Sequence, residues 1–315
     1  MRHQGDLVAA DQQRLRACRR VLRRLLVGVL LLCAPVRVLA WGERAHRMIN
    51  VVAIENLPEP LRAYFQARQA FLVEHASEPD RLGRADPAER PHHYTEIEAY
   101  DSFPFGEFRR QFVEERMGSP SPRLEHGDSI WQIEQFTLRL TEDLRRGRWE
   151  DADHAALFAA HYAADLTQPL HTVINYDGQL TGQRGIHARF ESELVNALGA
   201  SWVLRPNPPV FETDLRARIF QEMIRSYAYR YVVFAADNIA VSGRSYVDPQ
   251  YTLTFRRLAG PLARKQLEAA ASFVSSLWYT AWVRAGRVKL PSVGLAQSVP
   301  ATSRPSRQAR QAGRF

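Results

Sequence analysis

Between His161 and Glu191, imidazole and carboxylate side chains recur at a spacing of four, and no other feature of the chain limits its fold as tightly. The stretch reads His161-Tyr-Ala-Ala-Asp165-Leu-Thr-Gln168-Pro169-Leu-His171, then a glycine-containing loop, then Gly185-Ile-His187-Ala-Arg-Phe-Glu191. Residues four apart share a face only on a helix, so both pairs call for helical backbone. Pro169 ends the first helix and sets His171 just beyond it. A single histidine with a carboxylate one turn away is ordinarily a buried imidazole satisfied by its neighbour. Two such pairs with a third histidine between them read instead as donors converging on metal. Nitrogen and oxygen donors without thiols suit zinc or another borderline divalent ion.

The rest of the chain agrees with helix. Ala45 to Leu57 places Ile49, Val52, Ala53 and Leu57 on one stripe, and Ser129 to Leu144 does the same with Ile130, Ile133, Phe136 and Leu140. Ser129 is a candidate cap for that helix. Helical period continues over Asp153 to Leu166, His187 to Leu198 and Asp214 to Ile239, and Pro261 is a candidate start for a last helix running past Trp282. Alternating strand-like runs are scarce. The expected fold is all-α, a single multi-helix domain over residues 41–290, with loops near Asp101 to Gly106, Gly118 to Gly127 and Asn175 to Gly185.

The two ends of the chain read differently. Arg14, Arg16, Arg19, Arg20, Arg23 and Arg24 precede a short apolar run, Leu25 to Cys33, and Val38-Leu39-Ala40 offers a cleavage site, so residues 1–40 read as a signal peptide. The Arg19-Arg20 pair leaves a twin-arginine route open beside ordinary secretion. Cleavage yields an exported protein, periplasmic or secreted, that begins at Trp41. The leader holds eight arginines and two aspartates, +6 of the total +8, so the mature chain carries only +2. A basic chain of this size suggests nucleic acid, but the charge lies in the leader and in the tail arginines Arg304, Arg307, Arg310 and Arg314, so charge gives no support for binding a phosphate backbone. Both cysteines, Cys18 and Cys33, fall in the leader, which leaves no disulfide and no thiol ligand. Residues 291–315, rich in Pro, Ser, Gln, Arg and Ala, read as a disordered tail.

Three further pieces gain meaning only together. Trp41-Gly42 with His46 one turn on could offer a free amine, a carbonyl and an imidazole once the leader is gone. Asp80 lies in Ser-Glu-Pro-Asp80-Arg, and Pro91-His92-His93-Tyr94 follows; adjacent histidines point apart, so one of the two ligates. Alone, each is an ordinary cap, ion pair or surface histidine. In order, Trp41-Gly-x3-His46, Asp80-Arg, His93-Tyr94, His161-x3-Asp165-x2-Gln168-Pro169-Leu-His171 and His187-x3-Glu191 resemble the superfamily that joins bacterial zinc-dependent phospholipase C to the single-strand-specific zinc nucleases. The resemblance runs in short blocks over about half of the mature chain, and the His161 to His171 block is its most specific part.

The resemblance implies a helical domain of that type with three zinc ions. Asp80, His93, His161 and Asp165 would hold one, and His171, His187 and Glu191 a second. The Trp41 amine and carbonyl with His46 would hold the third, with Asp165 bridging it to the first. Two such ions about 3.5–4 Å apart would share a water and lower its pKa from near 16 to about neutral, and the resulting hydroxide would attack phosphorus in line. The resemblance implies that Asp165 would bridge and Asp80 would orient or deprotonate the water; these are the catalytic candidates. Gln168 falls to a supporting role at the helix end.

The substrate that the resemblance implies is a phospholipid headgroup or single-stranded nucleic acid. Gly185-Ile-His187-Ala-Arg-Phe-Glu191 and the lack of disulfides resemble the phospholipase branch; the nuclease branch has Asn-Leu-His ahead of this point, a Trp near its end and Asp in place of Glu191. The short Trp41 to His46 interval and the Asp80-Arg pair resemble the nucleases. Tyr94, beside a ligand, could stack on a base or pack against a headgroup, and otherwise it is core. The phospholipase-like branch is preferred. The reading from another class is a non-catalytic periplasmic zinc-binding protein. A helical His-Asp phosphohydrolase lacks its adjacent His-Asp dipeptide here, and a metalloprotease lacks His-Glu-x-x-His.

Overall fold

The helical period of the sequence becomes helix along the chain, and the computed structural model, which describes residues 41–114 and 122–291, contains no strand among them. The expected leader, and all of the expected tail except residue 291, lie outside the described residues, as does part of the loop expected at Gly118 to Gly127. In chain order the helices are α1 (Glu43–Glu55), α2 (Leu61–Gln66), α3 (Gln69–Glu74), α4 (Glu78–Ala85), α5 (Ile97–Tyr100), α6 (Gly106–Arg109), α7 (Ser129–Arg146), α8 (Trp149–Leu166), α9 (Ile186–Ala188), α10 (Leu194–Leu198), α11 (Leu215–Val241) and α12 (Pro249–Arg284). Short 3-10 turns at Pro87–His93 and Pro169–Thr172 and a π-turn at Arg189–Glu193 fall between them. The protein is all-α. Among the described residues, no helix is long and apolar enough to cross a membrane.

α8 is the central helix, buried without interruption from Ala159 to Leu166. Alanines at 155, 156, 159, 160, 163 and 164 let its neighbours approach closely, because a methyl group adds almost no girth. α7 and α8 form an antiparallel hairpin. Gly147 turns it at φ 67°, where a residue without Cβ closes a helix most easily. Arg148 anchors the turn through an ion pair to the buried Asp143. The 36-residue α12 packs on α1, α7, α8 and α11. Its Trp278 stacks on Phe65 at 4.5 Å and donates Nε1–H to the Ala156 carbonyl at 3.1 Å, while its Gln266 amide bonds the Thr167 carbonyl. α8 is thereby held at its middle and at its end, the two places that position His161 and Asp165.

Residues 202–213 run extended along α12, and their order comes from side chains. The backbone N–H groups of Arg205, Asn207, Val210 and Glu212 donate to Glu268 Oε1, Ser272 Oγ, Ser276 Oγ and Thr280 Oγ1 at 2.9–3.1 Å. Those four acceptors stand every fourth residue on one face of α12, and they satisfy a strap that has no sheet to join.

Three sequence expectations change. Ser129 is the first residue of α7 rather than its cap; its hydroxyl pairs with Thr95 Oγ1 at 2.8 Å, and Asp128 takes the cap position. The last helix starts at Pro249, with the Asp248 side chain accepting from Gln250 N–H, and Pro261 lies inside it. Buried Ala259, Gly260, Leu262 and Ala263 around the proline hold the helix through the lost hydrogen bond. The helix expected from His187 to Leu198 is α9, the π-turn and α10 in succession.

Candidate metal centre

The central helix brings the first two donors together. His161 donates Nδ1–H to the Ala76 carbonyl at 2.8 Å, so its Nε2 lone pair faces inward. That atom lies 3.3 Å from Asp165 Oδ2 and 3.1 Å from His93 Nδ1, and His93 Nδ1 is 2.9 Å from the same Asp165 oxygen. Asp80, from α4, places Oδ1 3.7 Å from both imidazoles. A cation held tetrahedrally by bonds of about 2.0–2.1 Å has ligand atoms roughly 3.3 Å apart. His93, His161 and Asp165, at 2.9–3.3 Å from one another, have that spacing, and Asp80 Oδ1 stands slightly farther out.

A second group forms where the chain returns. His171 donates Nδ1–H to the His93 carbonyl at 2.8 Å, which again fixes the tautomer, and its Nε2 is 3.0 Å from His187 Nε2 and 3.5 Å from Glu191 Oε2. His187 Nε2 and Glu191 Oε2 are 2.8 Å apart. Gln168 caps the short turn through Oε1 to Leu170 N–H, and its Nε2 lies 3.2 Å from Glu191 Oε2 and 3.1 Å from His187 Nε2, beside the ligand atoms of this group.

His46 supplies a third contact. Its Nε2 is 3.3 Å from Asp165 Oδ1, the oxygen that the first group does not use, and neither atom has a hydrogen-bond partner although both are buried. Two buried polar atoms facing each other with no hydrogen bond made are costly unless a proton or a cation lies between them. Trp41 is fully buried, and its backbone N–H bonds the Asp165 carboxylate. His46, Asp80 and His161 also bring one ligand atom each within 4.8 Å of one another. With Nδ1 committed to Ala76, His161 has one lone pair to give, and the shorter distances assign it to His93 and Asp165.

These carboxylates differ from the buried acids that arginines neutralise. Asp143 is paired with Arg148, Glu222 with Arg218 and Arg225, and Asp237 with Arg189. The polar contacts of Asp80, Asp165 and Glu191 described above are to imidazoles, one amide and one backbone N–H, with no arginine or lysine. Burial pushes Asp165 well above the carboxylate range and takes Glu191 up to about 8. Burial lowers His161, but Asp165 and Asp80 outweigh it and carry it up to about 9. Burial also takes His93 and His187 down to about 4. Asp80 differs: burial would raise it, yet His161, His46 and His93 outweigh that and hold it below the usual range. Without a metal the cluster holds protons where positive charge is needed, and a cation can replace them.

Eight side chains expected as ligands therefore converge: His46, Asp80, His93, His161, Asp165, His171, His187 and Glu191. Of the two adjacent histidines, His93 faces the centre, and His92 turns away to Asp128 Oδ1 at 2.7 Å. Tyr94 is half-buried beside the centre, its phenol raised to about 12 by burial with Glu96 and Tyr176 adding to it. Tyr176, which the sequence reading missed, sets its ring 6.1 Å from that of His187 and is 36% exposed. The Ala76 carbonyl was also missed, since a backbone acceptor leaves no mark on residue type. The chain matches no protein-family model and no curated protein.

Proposed function

We propose that this chain is an exported zinc-dependent phosphodiester hydrolase with three metal ions, closer to phospholipase C than to a nuclease. The observation that carries the reading is the split use of Asp165, with Oδ2 toward His93 and His161 and Oδ1 toward His46. A carboxylate divided in this way suits a multi-ion site better than a lone structural ion. Zinc follows from the imidazole and carboxylate donor set without thiolate. Asp80, His93, His161 and Asp165 would hold one ion, His171, His187 and Glu191 another, and the amine and carbonyl of a mature Trp41 with His46 the third.

Bound zinc supplies Lewis acidity, which brings the pKa of a water toward neutrality and offsets phosphate charge. The residues do the rest. Asp80 stays ionised, and Asp80 and His93 are the most exposed of the eight at 7% and 8%, so they mark the side from which water and substrate enter. Asp80 accepts the water's proton as its oxygen bonds to phosphorus. The ester P–O bond breaks, the leaving alkoxide takes up a proton from solvent, and Asp80 releases its own to solvent. The Ala76 and His93 carbonyls keep His161 and His171 from turning.

Elemental mass spectrometry on protein beginning at Trp41 tests the reading, followed by hydrolysis of phosphatidylcholine and of single-stranded nucleic acid. About three zinc ions and phospholipid cleavage are expected. Tyr176, exposed beside His187, favours the second reading of a single-strand-preferring endonuclease, because a base can stack there. Zinc without hydrolysis of either substrate would leave a non-catalytic zinc-binding protein, and no zinc would leave histidines satisfied by carboxylates.

A further inference from the structure

Asp237 on α11 is wholly buried and accepts four hydrogen bonds. Tyr251 Oη–H and Arg189 Nη2–H donate to Oδ1 at 2.6 and 3.1 Å. Gln183 Nε2–H and Tyr246 Oη–H donate to Oδ2 at 2.9 and 3.1 Å. Two donors on each oxygen fill the carboxylate's capacity. The four donors come from the Asn175 to Gly185 loop, the π-turn after α9, the loop after α11 and the first turn of α12.

Arg189 carries this hub toward the metal centre. It stands midway between His187 and Glu191, and two residues advance a helix by about 200°, so it leaves the far side of the turn from both ligands. Its guanidinium also donates to the Arg184 and Gln183 carbonyls at 2.8 and 3.0 Å and lies 4.1 Å from the Tyr246 ring centre. The loop is shaped around it: Gly185 has φ +85°, and a Cβ there would meet Arg189 Nη1 at 2.8 Å. Neither Arg189 nor Asp237 touches a ligand atom.

We propose that Asp237 and Arg189 are positioning residues for the His171, His187 and Glu191 group, holding the far side of the ligand-bearing turn so that His187 Nε2 and Glu191 Oε2 stay 2.8 Å apart. The proposal rests on the metal reading above. Ligands of a metal site need placement to within about 0.5 Å. A five-residue π-turn does not supply that alone, and a saturated buried carboxylate behind it does.

The test compares Asp237→Asn and Arg189→Lys with Asp143→Asn, which disturbs a buried ion pair at the α7–α8 turn. Zinc content is followed under graded chelator, and hydrogen exchange is measured on the metal-free proteins. One of the three ions should leave Asp237→Asn and Arg189→Lys at about 10- to 100-fold lower chelator than wild type needs, with the other two unchanged. Residues 177–193 should exchange at least about 10-fold faster in both variants and at the wild-type rate in Asp143→Asn. A wild-type chelator profile, or faster exchange spread evenly over the protein, would overturn the proposal. If wild type binds no zinc, the metal reading fails by itself, and the exchange pattern still decides whether the hub holds the turn.

Discussion

Replacing Asp165 by asparagine changes little in shape and much in charge. The amide offers one oxygen, so one of the two faces that Asp165 serves receives an N–H2 group in place of a lone pair. Zinc bound by protein ligands gains about 10–16 kcal/mol from three or four donors, so one charged donor is worth about 3 kcal/mol. At about 1.4 kcal/mol per decade, the ion facing the amide nitrogen should be held about 100-fold more weakly. The neighbouring ion also loses half a charge, so more than one ion should be affected and hydrolysis should fall with them. The metal-free protein should respond in the opposite sense, because burial disfavours the Asp165 charge that the substitution removes. Zinc content under graded chelator, with calorimetry with and without chelator, reads both effects. If the cluster were only histidines satisfied by carboxylates, Asp165→Asn would break a buried pair and cost about 3–5 kcal/mol with or without metal. A variant with full zinc content and a metal-free melting point lower by roughly 10 °C would refute the reasoning.

Other perturbations separate the parts of the centre. A residue left ahead of Trp41 turns the proposed amine ligand into an amide, and one ion should become easier to remove; equal zinc retention in tagged and native-start protein would take Trp41 off the ligand set. In metal-free protein, Glu191 at about 8 and His161 at about 9 bind protons that the unfolded chain releases at its ordinary 4.5 and 6.5, so their contribution is present at low pH and lost as pH rises through the folded values. Chelated protein should therefore melt at progressively lower temperature from pH 6.5 to 9, while the stabilisation by zinc grows; His93 and His187, at about 4, act in the opposite direction only below 6.5. A flat or rising metal-free curve over that range would count against the burial of these groups. Gly127→Ala should cost about 2–4 kcal/mol, since φ is +78° and the new Cβ would meet the Tyr94 carbonyl at 2.1 Å; a melting point at wild-type level would show that the segment after His93 yields easily.

The parts of the centre that were legible in the sequence are those with local period. His161 and Asp165, and His187 and Glu191, are four apart on helical turns, and spacing alone puts each pair on one face. Asp80 and His93 have no such signal, because they come from α4 and a 3-10 turn and meet α8 only through the fold. The Ala76 carbonyl is invisible for a different reason, since any residue type supplies a carbonyl. The Asp237 hub draws its donors from positions 9 to 54 residues away, beyond any local pattern. Among the helices, Pro261 misled because a proline more often opens a helix than lies within one, and packing on both sides of it overrides that preference.

The strap along α12 shows what its prolines do. Read as sequence, Arg205-Pro-Asn-Pro-Pro-Val210 is simply loop. Against the four acceptors of α12, the donors fall at 205, 207, 210 and 212, and the prolines occupy 206, 208 and 209. A slip of one residue toward either terminus would set two prolines, which have no N–H, opposite two of those acceptors. Each missed bond would cost about 1 kcal/mol, and Trp202 and Leu204, which pack on the core, would trade places with the exposed Val203. The chain thus carries a mechanical key that fits one groove at one setting. That setting fixes where α11 begins relative to α12, and hence how far along the bundle Asp237 comes to rest.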